Sequence, residues 1–252
     1  MSVEFTISNQ YLKSNRKKGF VSFISGFSII GIILAVMSLI TVLSVMNGFH
    51  EELMNRVLNT ISHSYVTETD DTLENWQDLR KKINSQKRVL ASSPFIEDFA
   101  LMTSKNASQG VSIRGVLIDL ESTTSPLLDD IKYGKPNLDE DESSIIIGVG
   151  LAVAMGAGIG DKVTLIAPAR NSAGLLVPIS EKYTVTGIFN AGVNDYNNGL
   201  AFIHLYDAQD LFSLGNQVSG IRLKVDDLFA ADKITEDIVQ SLGDGYYGVD
   251  WK

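Results

Sequence analysis

The sequence predicts an α+β chain. One N-terminal transmembrane helix is extended as a stalk, and a folded domain follows in which two strand-helix-strand units bracket a mostly β insertion. Three observations predict this. Residues Gly19 to His50 form 32 consecutive positions without Asp, Glu, Lys or Arg, whereas a bilayer core needs only about 20 apolar residues in a helix. A four-residue apolar spacing continues beyond that run. Finally, strand-like alternation leading into a helical period recurs near both ends of the remaining chain.

Residues 1–18 carry Lys13, Arg16, Lys17 and Lys18 against Glu4. That is +3 in a chain of net charge -9, which leaves -12 on the rest. Because the basic cluster precedes the apolar run and Glu51 and Glu52 follow it, the positive-inside rule puts residues 1–18 in the cytoplasm and everything after residue 50 outside. A secretory signal has an apolar region of about 7 to 15 residues; this run is longer and exits through Val45-Met46-Asn47-Gly48-Phe49, so it reads as an uncleaved anchor. Ser22, Ser25, Ser28, Gly31, Ala35, Ser38 and Thr41 recur every three or four positions and line one stripe. Small side chains let a second helix approach closely in lipid, although spans also tolerate them without a partner. Phe49, Leu53, Val57 and Ile61 continue the period, and a helix from Phe20 to Ile61 would be about 63 Å long at about 1.5 Å per residue. The anchor and stalk are thus placed at 19–61 and the external domain at 62–252.

In the first unit, 62–104, Ser64 to Thr69 alternates as a strand, and Asp71-Thr72-Leu73-Glu74 offers a cap for a helix from Leu73 to Leu90. Pro94 then opens a strand from Phe95 to Thr103. The second unit, 218–252, has a strand from Gly220 to Val225, a cap at Asp226-Asp227, a helix from Leu228 to Leu242 and a strand from Tyr246 to Trp251. Between them, residues 105–217 are turn-rich, with strands expected at Gly110 to Asp119, Ser144 to Ile147, Lys162 to Ala167, Lys182 to Phe189 and Leu200 to Leu205.

The chemistry that the sequence excludes is informative. A chain with 21 Lys+Arg against 30 Asp+Glu is a poor match for nucleic-acid phosphates. With no cysteine there are no disulfides, no thiolate metal ligands and no Cys nucleophile. The acidic run Asp139-Glu140-Asp141-Glu142 lacks the alternating ligands and central glycine of an EF-hand loop. Gly148-Val149-Gly150 supplies two glycines of a dinucleotide fingerprint, but Val153 stands where the third is needed, and no Gly-Lys-Ser/Thr follows. The stretch from Ile147 to Val163 therefore reads as a strand, a short helix from about Gly150 to Met155, and glycine turns through Gly160-Asp161. His50, His63 and His204 are far apart, with no metalloprotease or serine-hydrolase motif. No catalytic, cofactor or metal site is expected.

The run from Tyr11-Leu12-Lys13 through Phe23-Ile24-Ser25, then Gly31-Ile32 and above all Leu43-Ser44-Val45-Met46-Asn47-Gly48-Phe49, resembles the permease subunits of lipoprotein-releasing ABC transporters, the LolC/LolE family. The segment Gly148 to Asp161 is similar to the pattern of the wider MacB and FtsX-like permeases, and the likeness continues to Trp251. It implies a bacterial inner-membrane protein with a periplasmic domain of two subdomains between the first two of four transmembrane helices, so this chain resembles an N-terminal half. The implied partners are a LolD-like ATPase that hydrolyses ATP elsewhere, a second permease subunit, a LolA-like periplasmic carrier and triacylated lipoprotein cargo.

By the same resemblance a proline-bounded loop hooks the carrier, and here it corresponds to Pro168, Ala169, Arg170, Asn171, Ser172, Ala173, Gly174, Leu175, Leu176, Val177 and Pro178. The polar and basic flanks seen in LolC-type members are not matched at Thr164, Ser180 and Glu181, which leaves a LolE-like role open. Met46, Asn47, Phe49 and Leu53 at the membrane exit are the candidate acyl-chain contacts. Ser28, Gly31, Ala35 and Ser38 are the candidate helix-packing positions. Two other readings stay open: an FtsX/MacB-like permease that transmits ATPase-driven motion to another periplasmic partner, and a single-span anchored binding module.

Overall fold

The computed structural model describes residues 19–60, 64–69, 72–105, 107–128, 131–139, 142–170 and 176–250. Two compact units make up the chain, Met1–Asn55 and Arg56–Lys252. The first contains most of a single 42-residue helix, α1, Gly19–Thr60, as the unbroken apolar period predicts.

The second unit contains β1 (Ser64–Glu68), α2 (Trp76–Asn84), β2 (Val89–Thr103), β3 (Ser108–Val116), α3 (Ile118–Thr124), β4 (Ile131–Gly134), β5 (Ser144–Gly148), α4 (Val149–Met155), β6 (Lys162–Arg170), β7 (Leu176–Phe189), α5 (Asn194–Gly199), β8 (Leu200–His204), α6 (Leu205–Leu211), β9 (Gly220–Val225), α7 (Ala231–Leu242) and β10 (Tyr246–Asp250). Short 3₁₀ turns lie at Pro126–Leu128 and Leu228–Ala230.

The two strand-helix-strand units assemble into one sheet segment in the order β10-β1-β9-β2, antiparallel throughout. This is the split βαβ arrangement of ferredoxin-like folds. Helices α2 and α7 supply Trp76, Leu79, Ile83, Ile234 and Ile238 to the same core cluster as Val66, Ile221 and Leu223 of the strands. The inserted strands then close on β2. Pairing runs β2-β3-β8-β5-β7-β6 and returns from β6 to β2 through Leu101↔Ile166, Met102↔Leu165 and Thr103↔Thr164. Closure removes the exposed edges that an open sheet would present. Strand alternation puts Met102, Ile113, Ile145, Ile203, Leu165 and Val185 into the main core. A second cluster, with Val116, Leu127, Leu128, Ile146, Phe189 and Phe202, is separate from it. At 15 residues, β2 is long enough to serve both sheets, pairing β9 over Val89–Phe95 and β3 over Phe95–Thr103.

Several local expectations are corrected. The helix expected from Leu73 to Leu90 covers only Trp76–Asn84, because Leu73 forms a bridge to Val218 and Val89 already pairs with Val225. Its N-cap is Asn75 in left-handed backbone, with no side-chain cap bond, and Asp71 of the expected capping box lies outside the described residues. Pro94 sits inside β2 rather than at its start, opposite Ile221. The strand expected to reach Asp119 stops at Val116, and α3 follows. The helix expected from Leu228 to Leu242 is split into the 3₁₀ turn Leu228–Ala230 and α7 from Ala231: the Asp227 side chain caps the 3₁₀ turn, accepting a hydrogen bond from the Phe229 N–H at 3.0 Å, whereas the N-cap of α7 is Ala230, with no side-chain cap bond.

Candidate functional site

The expected loop 168–178 is the distal part of a long hairpin. Strands β6 and β7 stay in register past the prolines, with Pro168↔Pro178, Ala169↔Val177 and Arg170↔Leu176 as partners. Two prolines face to face remove two donors from the ladder, so a hairpin that continues beyond them is carried by the pairs on the far side. Pro168 and Pro178 are exposed and Val177 is 44% exposed. Asn171, Ser172, Ala173, Gly174 and Leu175 lie outside the described residues, as do the side chains of Ala169, Arg170 and Leu176. The outward face of the barrel below the hairpin carries Phe99, 72% exposed, and Leu101, which is paired with Ile166.

The membrane-exit and helix-packing candidates all lie on α1. From Phe23 to Phe49 that helix is long and apolar enough to cross a bilayer, with mean hydropathy 2.7. Met46, Asn47 and Phe49 are exposed, and the side chain of Leu53 is outside the described residues. Ser28, Gly31, Ala35 and Ser38 are likewise exposed, and a Cβ built on Gly31 would meet nothing within 4 Å. These positions and the hairpin belong to different compact units.

The glycine run has a packing explanation. Gly148 and Gly150 lie against α5, where an added Cβ would run into the Asn197 backbone and the Asn198 side chain respectively. Gly156 ends α4 in left-handed backbone with φ 60°. The Gly158 N–H donates to Asp161 Oδ2 at 2.8 Å and the Gly160 N–H to the Val185 carbonyl at 2.8 Å, so these donors already have protein partners. Among the described residues no group of three or more His, Asp and Glu side chains could hold a metal ion. His204 is buried beside Tyr206, and nothing is described for His63.

A cluster of four charges lies outside every candidate residue that the sequence singles out. Arg222 of β9 donates from Nη1 to Glu121 Oε1 of α3 and from Nη2 to Glu97 Oε2 of β2, both at 2.9 Å. Arg114 of β3 donates to the same Glu97 oxygen from Nη2 at 3.0 Å, and Ser112 Oγ donates to Glu97 Oε1 at 3.1 Å. The Glu121 side chain is 0% exposed and that of Arg222 is 5% exposed. The Arg222 guanidinium also lies 4.2 Å from the centre of the Phe95 ring. Burial pulls the Arg222 guanidinium down to about 10, reinforced by Arg114 and opposed by Glu121 and Glu97, so it stays charged at neutral pH. Alternation places Arg114, Arg222 and Glu97 on outward strand positions that ordinarily face water. The one available signal is that each arginine sits between apolar or glycine neighbours within a strand, in Ile113-Arg114-Gly115-Val116 and Ile221-Arg222-Leu223.

Burial alone would raise the Glu97 carboxyl, but the Arg114 and Arg222 guanidinia, with hydrogen bonds from Arg114 and Ser112, hold it below its ordinary 4.5. A carboxyl depressed in the folded state stabilises the fold above the unfolded-state value, and that contribution is lost as pH falls through the folded value. The urea midpoint of the native chain is therefore expected to fall more steeply than that of Glu97→Gln between about pH 5 and about pH 3. Parallel midpoints over that window would remove the assignment.

With this geometry in place, comparison with known proteins is informative. The sequence matches the MacB-like periplasmic core domain family over residues 25–241. It is 38% identical over 254 residues to the lipoprotein-releasing system transmembrane protein LolC of Neisseria meningitidis serogroup B, covering 99% of this chain and 61% of that protein. Similarity to the lipoprotein-releasing system transmembrane protein LolE of Haemophilus influenzae is 30% over 258 residues, covering 100% of this chain and 62% of the relative. The chain thus spans about three fifths of the length of the curated relatives it matches. Among solved structures it resembles the extracellular domain of the noncanonic ABC-type transporter YknZ from Gram-positive bacteria, with a TM-score of 0.53 at 10% identity, covering 74% of this chain and 100% of that one. That likeness bears on the fold alone.

Proposed function

The chain belongs to the MacB-like periplasmic core domain family, in its LolC/LolE group, and on that premise we propose that it is a permease subunit releasing lipoproteins from the bacterial inner membrane to a periplasmic carrier. The observation that carries this reading is the direct continuity of an apolar span, Phe23–Phe49, with a domain of that family, matched by LolC over 99% of the chain.

In this reading residues 1–18 are cytoplasmic, α1 crosses once and extends as a stalk through residue 61, and the domain 62–252 is periplasmic, its inserted subdomain spanning 105–217. Each acyl CH₂ leaving the bilayer costs about 0.8 kcal/mol, so extraction of several chains is steeply uphill. Work must therefore come from a LolD-like ATPase subunit, and this chain supplies no catalytic residue of its own. Ser28, Gly31, Ala35 and Ser38 pack against a second permease subunit, and Met46, Asn47, Phe49 and Leu53 contact the acyl chains. The hairpin Pro168 to Pro178 docks a LolA-like carrier, supported by the exposure of Val177 and of both prolines. Apolar surface of that kind is stabilised when a partner covers it.

The test is a photo-crosslinking side chain at Leu176 in the membrane-embedded protein, together with purification of the bound subunits. An adduct with a small soluble carrier, alongside an ATPase and a lipoprotein, is expected. An ATPase accompanied by a periplasmic hydrolase or efflux adaptor, with no carrier adduct, would favour the motion-transmitting FtsX/MacB-like reading. Absence of any ATPase would leave a single-span binding module.

A further inference from the structure

We propose that α3 is a strap across the outward face of β2 and β9, latched by the Glu121–Arg222 pair, and that it opens and closes while the rest of the domain stays folded.

The outward positions of β2 follow the strand period as Phe95, Glu97, Phe99 and Leu101. Their exposures divide sharply: Phe95 is 4% exposed and Phe99 72%. Phe95 is covered by the Arg222 guanidinium, which Glu121 of α3 holds where that helix packs on β2 and β9. Tyr65 meets the Phe95 ring edge-on at 5.3 Å.

What holds the strap is unusual for a helix on a sheet. Its fully buried side chains are Glu121 and Thr124, neither of them apolar. Ile118 is half-buried against the second core cluster, and the 3₁₀ turn after the helix anchors its far end through Leu127 and Leu128. Lys224 Nζ adds a hydrogen bond to the Thr123 carbonyl at 3.3 Å. A seven-residue helix is too short to persist alone in water. When α3 lifts, Glu121 and Arg222 regain hydration, which offsets much of the lost attraction. Arg222 keeps its bond to Glu97, and Glu97 keeps Arg114. A segment with few buried apolar contacts and a rehydratable latch opens at lower free energy than the strands below it.

Native-state hydrogen exchange of the full chain tests this. Amides of residues 118–124 are expected to exchange about a hundredfold faster than those of β2 and β9 beneath them, by local opening. Glu121→Gln, which keeps an acceptor but loses the charge, should raise exchange in 118–124 about a further tenfold, with β5 and β8 unchanged. Ser122→Ala, at an exposed position of the same helix, should leave it unaltered. The proposal is overturned if 118–124 in the unmodified chain exchanges at the rate of the strands beneath. It is equally overturned if Glu121→Gln and Ser122→Ala act alike, or if Glu121→Gln accelerates all elements uniformly.

Discussion

Arg222→Ala is expected to destabilise the domain by about 3–5 kcal/mol, the range found when one member of a buried ion pair is removed. The cost arises less from the lost attraction than from what is left behind. Glu121 has 0% side-chain exposure, and Arg222 is its charged hydrogen-bond partner. Its Oε2 has no hydrogen bond among the described residues, so the alanine variant would strand the carboxylate entirely. Glu97 is buffered by Arg114 and Ser112 and should contribute little to the loss. Two further variants separate these parts. Arg222→Met restores cover over Phe95 without satisfying Glu121 and should stay strongly destabilised. Adding Glu121→Leu removes the stranded charge as well, and replacing a whole buried pair with apolar side chains is often neutral or stabilising. Urea unfolding should therefore rank the double variant close to the native chain and both Arg222 single variants well below it. A loss under about 1 kcal/mol for Arg222→Ala would mean that Glu121 finds another donor in the closed fold, or that α3 lifts and hydrates it at almost no cost.

Much of the fold was legible because it rests on local patterns. The span needed only an uncharged run, and β5, β8 and β9 needed short apolar strands bounded by glycine or polar residues. Asp227 marks the 3₁₀ turn that leads into the C-terminal helix rather than the helix itself. What escaped was set by partners distant in sequence. Leu73 looks like the first turn of a helix but is held in a bridge by Val218, and Val89 looks helical but is drawn into a sheet by Val225. Pro94 suggested a boundary, yet β2 runs through it opposite Ile221. Closure of the barrel depends on β2 meeting β6 about sixty residues later in sequence, which no local period encodes. Strands β6 and β7 pair on through Pro168↔Pro178 to Arg170 and Leu176, so less of the segment 168–178 is loop than its composition implies. Arg222 and Glu121 stand 101 positions apart. A single mid-strand arginine cannot reveal whether water or a carboxylate awaits it.

Phe202→Ala should also cost about 3–5 kcal/mol, as truncation of a buried aromatic does, and its pattern of coupling tests how the outer core is built. Phe202 is 0% exposed at the middle of β8, between Arg114 of β3 and Ile146 of β5. Its ring meets Phe189 edge-on at 5.4 Å and lies 5.7 Å from the Arg114 guanidinium. Truncation thus opens a cavity in the cluster that also contains Leu127 and Leu128, and removes a ring contact worth about 0.5–1.5 kcal/mol beyond its buried area. Phe202→Leu keeps most of the volume and should lose less than about 1.5 kcal/mol. Arg114 touches both Phe202 and Glu97, so it links this cluster to the ion network of Arg222. In a cycle of Phe202→Ala and Arg222→Ala, the two losses should fall short of adding by about 0.5–3 kcal/mol, the coupling expected of sites that share a partner. The combined Arg222→Ala and Leu79→Ala variant is the control. Leu79 packs in α2 within the main core cluster rather than this one, and its loss should add to that of Arg222 within about 0.5 kcal/mol. Equal additivity in both cycles would show that Arg114 transmits nothing between ring and carboxylate, and that the outer cluster and the ion network stabilise the domain independently.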